Sequence, residues 1–334
     1  MLQYLITHHS SLITIHMLDA TIIYNPLAGP TNLKATVEEV GRFWQRQGWR
    51  VTIQPTQRAG HAVELAQSAA AAGHRLVLAS GGDGTLGEVA SGLVGSETIM
   101  APLPTGTGNS FAKELRLPRP GPLNPDGLLE ASKALAAGRV QRMDVGKAET
   151  GRHWLLWASV GVDSFLVERI EPRSKFAKML GPLGYVGEGL PSIVLFPGMW
   201  ASVEVDGRLY EDDYLMVTIS NCRLFAGGEL MLNPQAVLDD GLFEVWFFRG
   251  RETLRIFQYL VDVALGRHLN HPEIQMVSGR QVTIHTRPPI PVHKDGDPSG
   301  KTPFSCNLLP GALRILAPNT APAGLFSWPG EPLL

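Results

Sequence analysis

Leu76-Val77-Leu78-Ala79-Ser80-Gly81-Gly82-Asp83-Gly84-Thr85-Leu86-Gly87-Glu88 reads as an apolar strand that runs into a glycine cluster and then directly into a helix. A helix start behind such a turn presents unpaired backbone N–H groups and the positive end of the helix dipole, an arrangement that binds phosphate. Thr85 and Glu88 fit a T-x-x-E capping box, which would encode the helix start locally. The cluster also holds a carboxylate, Asp83. A carboxylate in a phosphate cradle repels the ligand unless a cation or a proton transfer lies between them, so the loop points to phosphoryl chemistry rather than passive anion binding.

Two plainer readings compete. Gly82 to Gly87 formally fits G-x-G-x-x-G, but a dinucleotide fold calls for an acidic residue about 20 positions later. That region is Pro102-Leu103-Pro104-Thr105-Gly106, without an acid. A structural turn is the other reading, and four glycines between Gly81 and Gly87 are many for a turn alone. A second strand, Thr98 to Pro102, runs into Leu103-Pro104-Thr105-Gly106-Thr107-Gly108-Asn109 and a helix from Ser110 to Leu115. Two adjacent parallel strands ending in such loops line one crevice at the carboxyl edge of a sheet. No G-x-x-x-x-G-K-[ST] pattern occurs, so this is not an ordinary P-loop chain.

Outward from these loops the first 140 residues alternate strand and helix: strand 20–24, helix 34–47 with Val37, Val40, Phe43 and Trp44 on one face, strand 50–54, helix 61–72, strands 75–79 and 98–102, and helix 128–137. Gly48 and Gly73 stop the first two helices. This order predicts an α/β unit, a parallel sheet with helices on both faces. From about Val140 the texture becomes β-like, in runs such as 154–160, 201–205, 215–220, 242–248 and 281–286, and predicts a second, β-rich, antiparallel sandwich-like domain. Helices are expected near 175–190 and 252–265. In the latter, Leu254, Phe257, Val261 and Leu265 share one face, which is read as core.

The 334 residues suffice for two domains, and 44% hydrophobic content supports ordinary cores. A net charge of −2 argues against nucleic acid as a partner. Cys222 and Cys306 form no framework and no metal pattern, so a reducing cytoplasm is the expected compartment. Residues 1–17 make a poor signal peptide and are expected to be a non-native or disordered extension, with Met17 as the start. No uninterrupted apolar 18-mer occurs, so membrane contact is expected to be peripheral at most.

Gly81-Gly82-Asp83-Gly84-Thr85 with Glu88-Val89, then Leu103-Pro104-x-Gly106-Thr107-x-Asn109, resembles the lipid kinases of the diacylglycerol kinase and sphingosine kinase superfamily. The opening segment Tyr24-Asn25-Pro26-Leu27-Ala28-Gly29 is similar to the family's first motif. Asn221 through Gly227-Gly228, Pro234, Asp239-Asp240-Gly241 and Asp295-Gly296-Asp297 follow in the family's order. The resemblance covers roughly residues 18 to 316. The glycine motif alone is shared with NAD kinases and has a relative in phosphofructokinases; the ordered set is more specific. It implies an ATP-binding catalytic domain over 18–140, a lipid-substrate domain over 141–304 and a strand over 305–317 returning to the first domain. The tail over 318–334 is rich in proline and is expected to be disordered.

Residue by residue, the resemblance implies that ATP contacts Asn25, Gly29, Gly81, Gly82, Asp83, Gly84, Thr85, Gly106 and Thr107, with Glu88 orienting the site and Asn109 as an N-cap that shapes the loop. Thr56 matches a nucleotide-contacting threonine, with a turn residue as the equal alternative. Two carboxylates compete for the base that takes the acceptor's proton. Asp297 stands where bacterial members have the glutamate of an Asp-Gly-Glu motif, and Asp83 matches the base proposed in the sphingosine kinase branch. Aspartate is shorter by one methylene, and a ~1 Å misplacement costs on the order of 10²-fold in rate. Asp240, with the carbonyls of Val237 and Leu242, matches a magnesium site, an Asp-Gly turn being an equally good reading. Asp163 would face the lipid head group, a turn aspartate being the other reading. The function implied is an ATP- and Mg2+-dependent lipid kinase acting on a diacylglycerol-like alcohol. A sphingoid-base kinase, an NAD kinase-like enzyme and a non-catalytic lipid- or nucleotide-binding protein remain as alternatives.

Overall fold

Runs buried on both faces build the first half of the chain. A computed structural model describes residues 18–28, 33–170, 193, 196 and 198–334; residues 1–17, Gly29 and the helix expected near 175–190 lie outside that set. Strands β1 (Leu18–Tyr24), β2 (Trp49–Pro55), β3 (Leu76–Gly81) and β4 (Ile99–Pro104) are parallel in the order β4-β3-β1-β2. β3 and β4 are buried at every residue, as strands covered on both faces must be. The covering helices are α1 (Leu33–Arg46), α2 (His61–Ala71), α3 (Asp83–Leu93), α4 (Ser110–Glu114) and α5 (Gly127–Ala136). α1 buries Val37, Val40 and Trp44 as its periodicity predicts. Its Trp44 indole donates to Ser132 on α5 at 2.7 Å, giving that ring's polar atom a buried partner.

The second half is antiparallel, as expected. It contains β5 (Arg139–Ala148), β6 (His153–Trp154), β7 (Trp157–Gly161), α6 (Val162–Ile170), β8 (Met199–Val205), β9 (Arg208–Ser220), the short pair β10 (Leu224–Phe225) and β11 (Leu230–Met231), β12 (Phe243–Arg249), α7 (Thr253–Ala264), β13 (Ile274–Gly279), β14 (Gln281–Arg287), β15 (Pro291–Lys294), β16 (Asp297–Lys301), β17 (Phe304–Ala317) and β18 (Glu331–Pro332). Two hydrophobic cores result. β17 feeds both: Phe304, Cys306 and Leu308 lie in the second core, whereas Leu313, Ile315 and Leu316 lie in the first. It pairs antiparallel with β14 and β5, and parallel with β4 at Ile315↔Met100. The strand breaks register between Leu309 and Leu313, where Gly311 takes a φ of 55°.

Two expectations need correction. The tail after Pro318 is not disordered. β18 pairs with Val140 and Arg139 on β5, Leu325 and Leu333 are buried, and the Leu325 carbonyl accepts the N–H of Leu238 at 2.9 Å. Its proline content removes donors but leaves two leucines that fill gaps in the first core. In α7 the stripe read as core faces outward: Leu254, Val261 and Leu265 are exposed and Phe257 is only partly buried. Ile256, Tyr259 and Val263 are buried instead. The helix carries two apolar stripes. Tyr259 settles the choice, because its ring lies against Phe248 and its hydroxyl donates to the Arg249 carbonyl at 2.6 Å.

Glu244 on β12 is a buried acid whose pKa is pushed up to about 8, first by burial and then by Asp240. The folded protein therefore holds a proton that the unfolded chain releases above about 4.5. This group's stabilising contribution is full below that value and is lost as pH rises toward about 8. Glu244→Gln is expected to raise the urea midpoint over wild type at pH 8 and to leave it nearly unchanged at pH 4.5; a gain equal at both pH values would refute the assignment.

Candidate functional site

The two glycine loops meet at the carboxyl edge of the parallel sheet. Thr105 and Gly106 both donate their N–H to the Gly81 carbonyl at 3.1 Å, which zips the loops together. A Cβ on Gly106 would sit 2.4 Å from the Gly82 Cα, so the approach requires glycine. Thr85 packs its side chain over Gly81, where a Cβ would clash at 2.4 Å. Thr107 is exposed at the loop tip. The ends of β1 and β2 lie alongside: Thr56 donates its N–H to the Tyr24 carbonyl at 2.8 Å, and Asn25 closes its own turn by accepting the Leu27 N–H at 2.9 Å.

The carboxylates of this region cap helices other than the expected ones. α3 begins at Asp83, with Gly82 at the N-cap and no side-chain cap, so Thr85 and Glu88 form no capping box. Glu88 instead accepts the N–H groups of Gly60 and Ala62 at 2.8 and 3.2 Å, which caps α2 from its neighbour. Asp83 accepts the N–H groups of Ser110 and Phe111 at 3.0 and 3.2 Å, which caps α4. Asn109 occupies the N-cap position of α4 in a left-handed conformation, φ 53°, but makes no cap bond. Its side chain both accepts from and donates to the Gly106 backbone and stiffens the second loop.

The second half reaches this edge through the β15–β16 hairpin. Asp295 and Gly296 form its two-residue turn with φ values of 50° and 88°, as an Asp-Gly hairpin favours. The Asp295 carboxylate is buried and accepts three N–H groups, from Leu155, Leu156 and Trp157, at 2.7 to 3.1 Å. Burial outweighs these bonds and lifts its pKa to about 6, with Asp83 adding a like charge. The turn thus held sets Asp297 against the glycine loop: a Cβ on Gly84 would lie 3.3 Å from Asp297 Oδ2. Arg152 approaches the same carboxylate oxygen at 4.0 Å.

Asp163 opens α6, and its Oδ2 lies 3.0 Å from His293 Nε2 in a nearly buried pair. It therefore sits on the β15 side of the second half rather than against the glycine loops. Asp240 accepts the Leu242 N–H at 3.0 Å, and its carboxyl is raised by burial, with Asp239 contributing a like charge. Among the described residues no hydrogen bond reaches the carbonyls of Val237 or Leu242. An exposed carboxylate and two uncommitted carbonyls are oxygen donors of the kind a hard cation takes. No group of three or more His, Cys, Asp or Glu able to hold a metal occurs among the described residues.

A fastening that the sequence reading missed joins the halves beside the site. Glu114 is buried on α4, ion-paired with Arg223 at 3.2 Å and accepting the Leu224 N–H at 2.9 Å. Burial nonetheless raises its pKa. Next to it, Lys113 donates to the Gly227 carbonyl and pairs with Glu229. An acid flanked by Phe111, Ala112 and Leu115 was the available sequence signal. A cleft of ≈ 280 Å³, lined by Trp44, Trp49, Arg139 and Leu333, sits at the opposite end of the sheet and contains none of the site residues.

Two family models match consecutive parts of the chain: a diacylglycerol kinase catalytic domain over residues 19–148, and the YegS C-terminal NAD kinase beta sandwich-like domain over residues 157–317. With an α/β half whose glycine loops face an acidic hairpin from a β-rich half, the chain belongs to the diacylglycerol kinase-like family of lipid kinases. Diacylglycerol kinase from Bacillus subtilis (strain 168) is 27% identical over 288 residues, covering 85% of this chain and 91% of that one. The enzyme of the same name from Staphylococcus carnosus (strain TM300) is 26% identical, covering 90% and 95%. A crystal structure of a diacylglycerol kinase from Bacillus anthracis str. Sterne shares the fold with a TM-score of 0.69 at 22% identity, covering 92% of this chain and 99% of its own. A second solved chain from that organism reaches 0.73 at 25% identity, with the same coverage.

Gly106→Ala forces the two glycine loops apart and is expected to cost about 1–3 kcal/mol, as overpacking against rigid backbone does. Chemical denaturation measures this, and a variant as stable as wild type would show that the loops do not need their close approach.

Proposed function

We propose that this chain is an ATP-dependent lipid kinase that transfers the γ-phosphate to a hydroxyl of a diacylglycerol-like lipid, in the crevice between its two halves. The observation that carries the reading is Asp297 lying over Gly84, a base beside a phosphate cradle with no side chain between them. The terminal phosphates would rest on N–H and hydroxyl donors of Gly82, Gly84, Thr85, Gly106 and Thr107, with Asn25 and Thr56 nearer the remainder of the nucleotide. Asp297 accepts the acceptor hydroxyl's proton as the new O–P bond forms and the bond to the bridging β–γ oxygen breaks, the displaced oxygen leaving on ADP. Asp83 is the second candidate for the base, and both its oxygens accept α4 N–H groups. Asp163, fastened to His293, would meet the acceptor head group.

Magnesium bound with the nucleotide would screen phosphate charge during transfer. A further magnesium would be held by Asp240 and the carbonyls of Val237 and Leu242, where it would steady the loop before β12. Membrane contact follows from the acceptor, since a diacylglycerol stays in its bilayer. No helix among the described residues is long and apolar enough to cross a membrane. Peripheral contact through the outward face of α7, where Leu254, Val261 and Leu265 are 50–69% exposed, meets that need.

The test is transfer of labelled γ-phosphate from ATP with magnesium into diacylglycerol, a sphingoid base or NAD. Label is expected in diacylglycerol; label appearing only in NAD would overturn the reading. Asp297→Ala is expected to lower kcat on the order of 10²–10⁴-fold with nucleotide affinity little changed. Activity surviving that change but lost in Asp83→Asn would move the base to Asp83. Leu254→Glu with Val261→Glu is expected to reduce co-sedimentation with lipid vesicles while leaving ATP binding intact. Unchanged sedimentation would place the membrane contact elsewhere.

A further inference from the structure

β15 brings a lysine to the wall of the same crevice. Lys294 is only 5% exposed, and among the described residues its ammonium makes neither a hydrogen bond nor an ion pair. It stands opposite Asp297 in the hairpin register and opposite Ala158 on β7, so these three share one face. Arg152 reaches that face from the β5–β6 turn, 4.0 Å from Asp297. His153 follows it, half-buried and driven toward its neutral form by burial and then by Lys147 and Lys294. Lys294 is itself pushed down by burial and then by Arg152, against weaker opposing effects of Asp295, Cys306 and Asp297. Gly84, without a side chain, lies against the same Asp297 carboxylate.

The Lys294 stem is buried but its ammonium is not among the fully buried atoms left without a partner, so it opens to water, and cations of like sign nearby raise its cost. An anion entering between them relieves that repulsion. The glycine loops supply only neutral donors, with no lysine anywhere from Gly81 to Asn109. Phosphoryl transfer is helped by a cation beside the migrating group. We propose that Lys294, with Arg152 at the rim, is the cationic half of a phosphoryl-binding pocket that holds a terminal phosphate over Gly84 beside Asp297. This rests on the lipid-kinase reading and names a residue that the glycine motifs do not. The phosphate arrives on the nucleotide and leaves on the lipid, so either ligand presents the same dianionic end.

The test is calorimetric titration of the whole chain, with magnesium, using ADP and a non-hydrolysable imido analogue of ATP. A parallel arm uses micelles of diacylglycerol with or without its phosphorylated form. Lys294→Met is expected to weaken the triphosphate analogue about tenfold while leaving ADP within twofold, and Lys294→Arg to keep most of the affinity. The melting temperature of Lys294→Met is expected to match or exceed wild type, because a charge repelled by Arg152 has been removed. The exposed Arg152→Gln is expected to show a smaller loss in the same direction. A loss seen only on phosphorylated lipid assigns the pocket to the product and also supports it. Unchanged binding in both arms, or equal weakening of ADP and analogue, overturns the proposal. Wild-type protein that binds neither nucleotide overturns the kinase reading and this pocket with it, whereas normal wild-type binding with an unaffected Lys294→Met removes the pocket alone.

Discussion

β17 is a single fourteen-residue strand that both cores share, and its bend at Gly311 sets how the halves face each other. The bend is held from outside the strand. Asp144, buried on β5, accepts the Gly311 N–H at 2.7 Å and the Gly241 N–H at 2.6 Å. Burial raises its pKa, those two bonds oppose the rise, and Asp240 and Asp239 add to it. One carboxylate thus ties the bend of the shared strand to the Asp239-Asp240-Gly241 turn. Removing it would orphan two backbone donors in a place water reaches poorly. Glu114 with Arg223 makes a second fastening nearer the glycine loops. The β15–β16 hairpin, itself paired to β7, then carries Asp297 to Gly84.

The same economy of carboxylates recurs within the first half. Asp83 and Glu88 stand on α3, yet each caps a neighbouring helix. The caps therefore fix α2, α3 and α4 relative to one another, which a cap bonded within its own helix cannot do. A charge-assisted bond to backbone N–H groups also keeps Asp83's negative charge compensated close to where phosphate would lie. The oddity of a carboxylate in a phosphate cradle has a structural answer at Asp83 and a chemical one at Asp297.

Much of this was legible in the residues. Apolar runs at 76–81 and 99–104, glycine stops at Gly48 and Gly73, and the 3.6-residue spacing of α1 report local backbone preferences and the burial of one face, which a sequence carries directly. The shift from βα alternation to short β runs near Val140 likewise announced the change of sheet type. What failed depended on tertiary partners. Thr85 and Glu88 have capping-box spacing, but Glu88 finds donors on α2 instead. α7 offers two stripes, and only the position of Phe248 and the Arg249 carbonyl selects between them. The proline-rich tail read as loose because composition does not register two leucines with waiting cavities. Lys294 carried no signal at all, since a lone lysine beside an Asp-Gly turn looks like solvent-facing edge.

Because β17 completes the parallel sheet, the order of synthesis differs from the order of assembly. β4 ends at Pro104, whereas the strand that pairs along its other side is finished only at Ala317. At about 5–20 residues per second, the roughly 200 intervening residues take on the order of ten seconds or more to emerge. Through that interval a fully apolar strand stands at an open sheet edge, which is a template for pairing with another chain. The nascent first half is thus a metastable, aggregation-exposed species on the ribosome. It is closed not by its own residues but by the return of the chain from the far side of the second half.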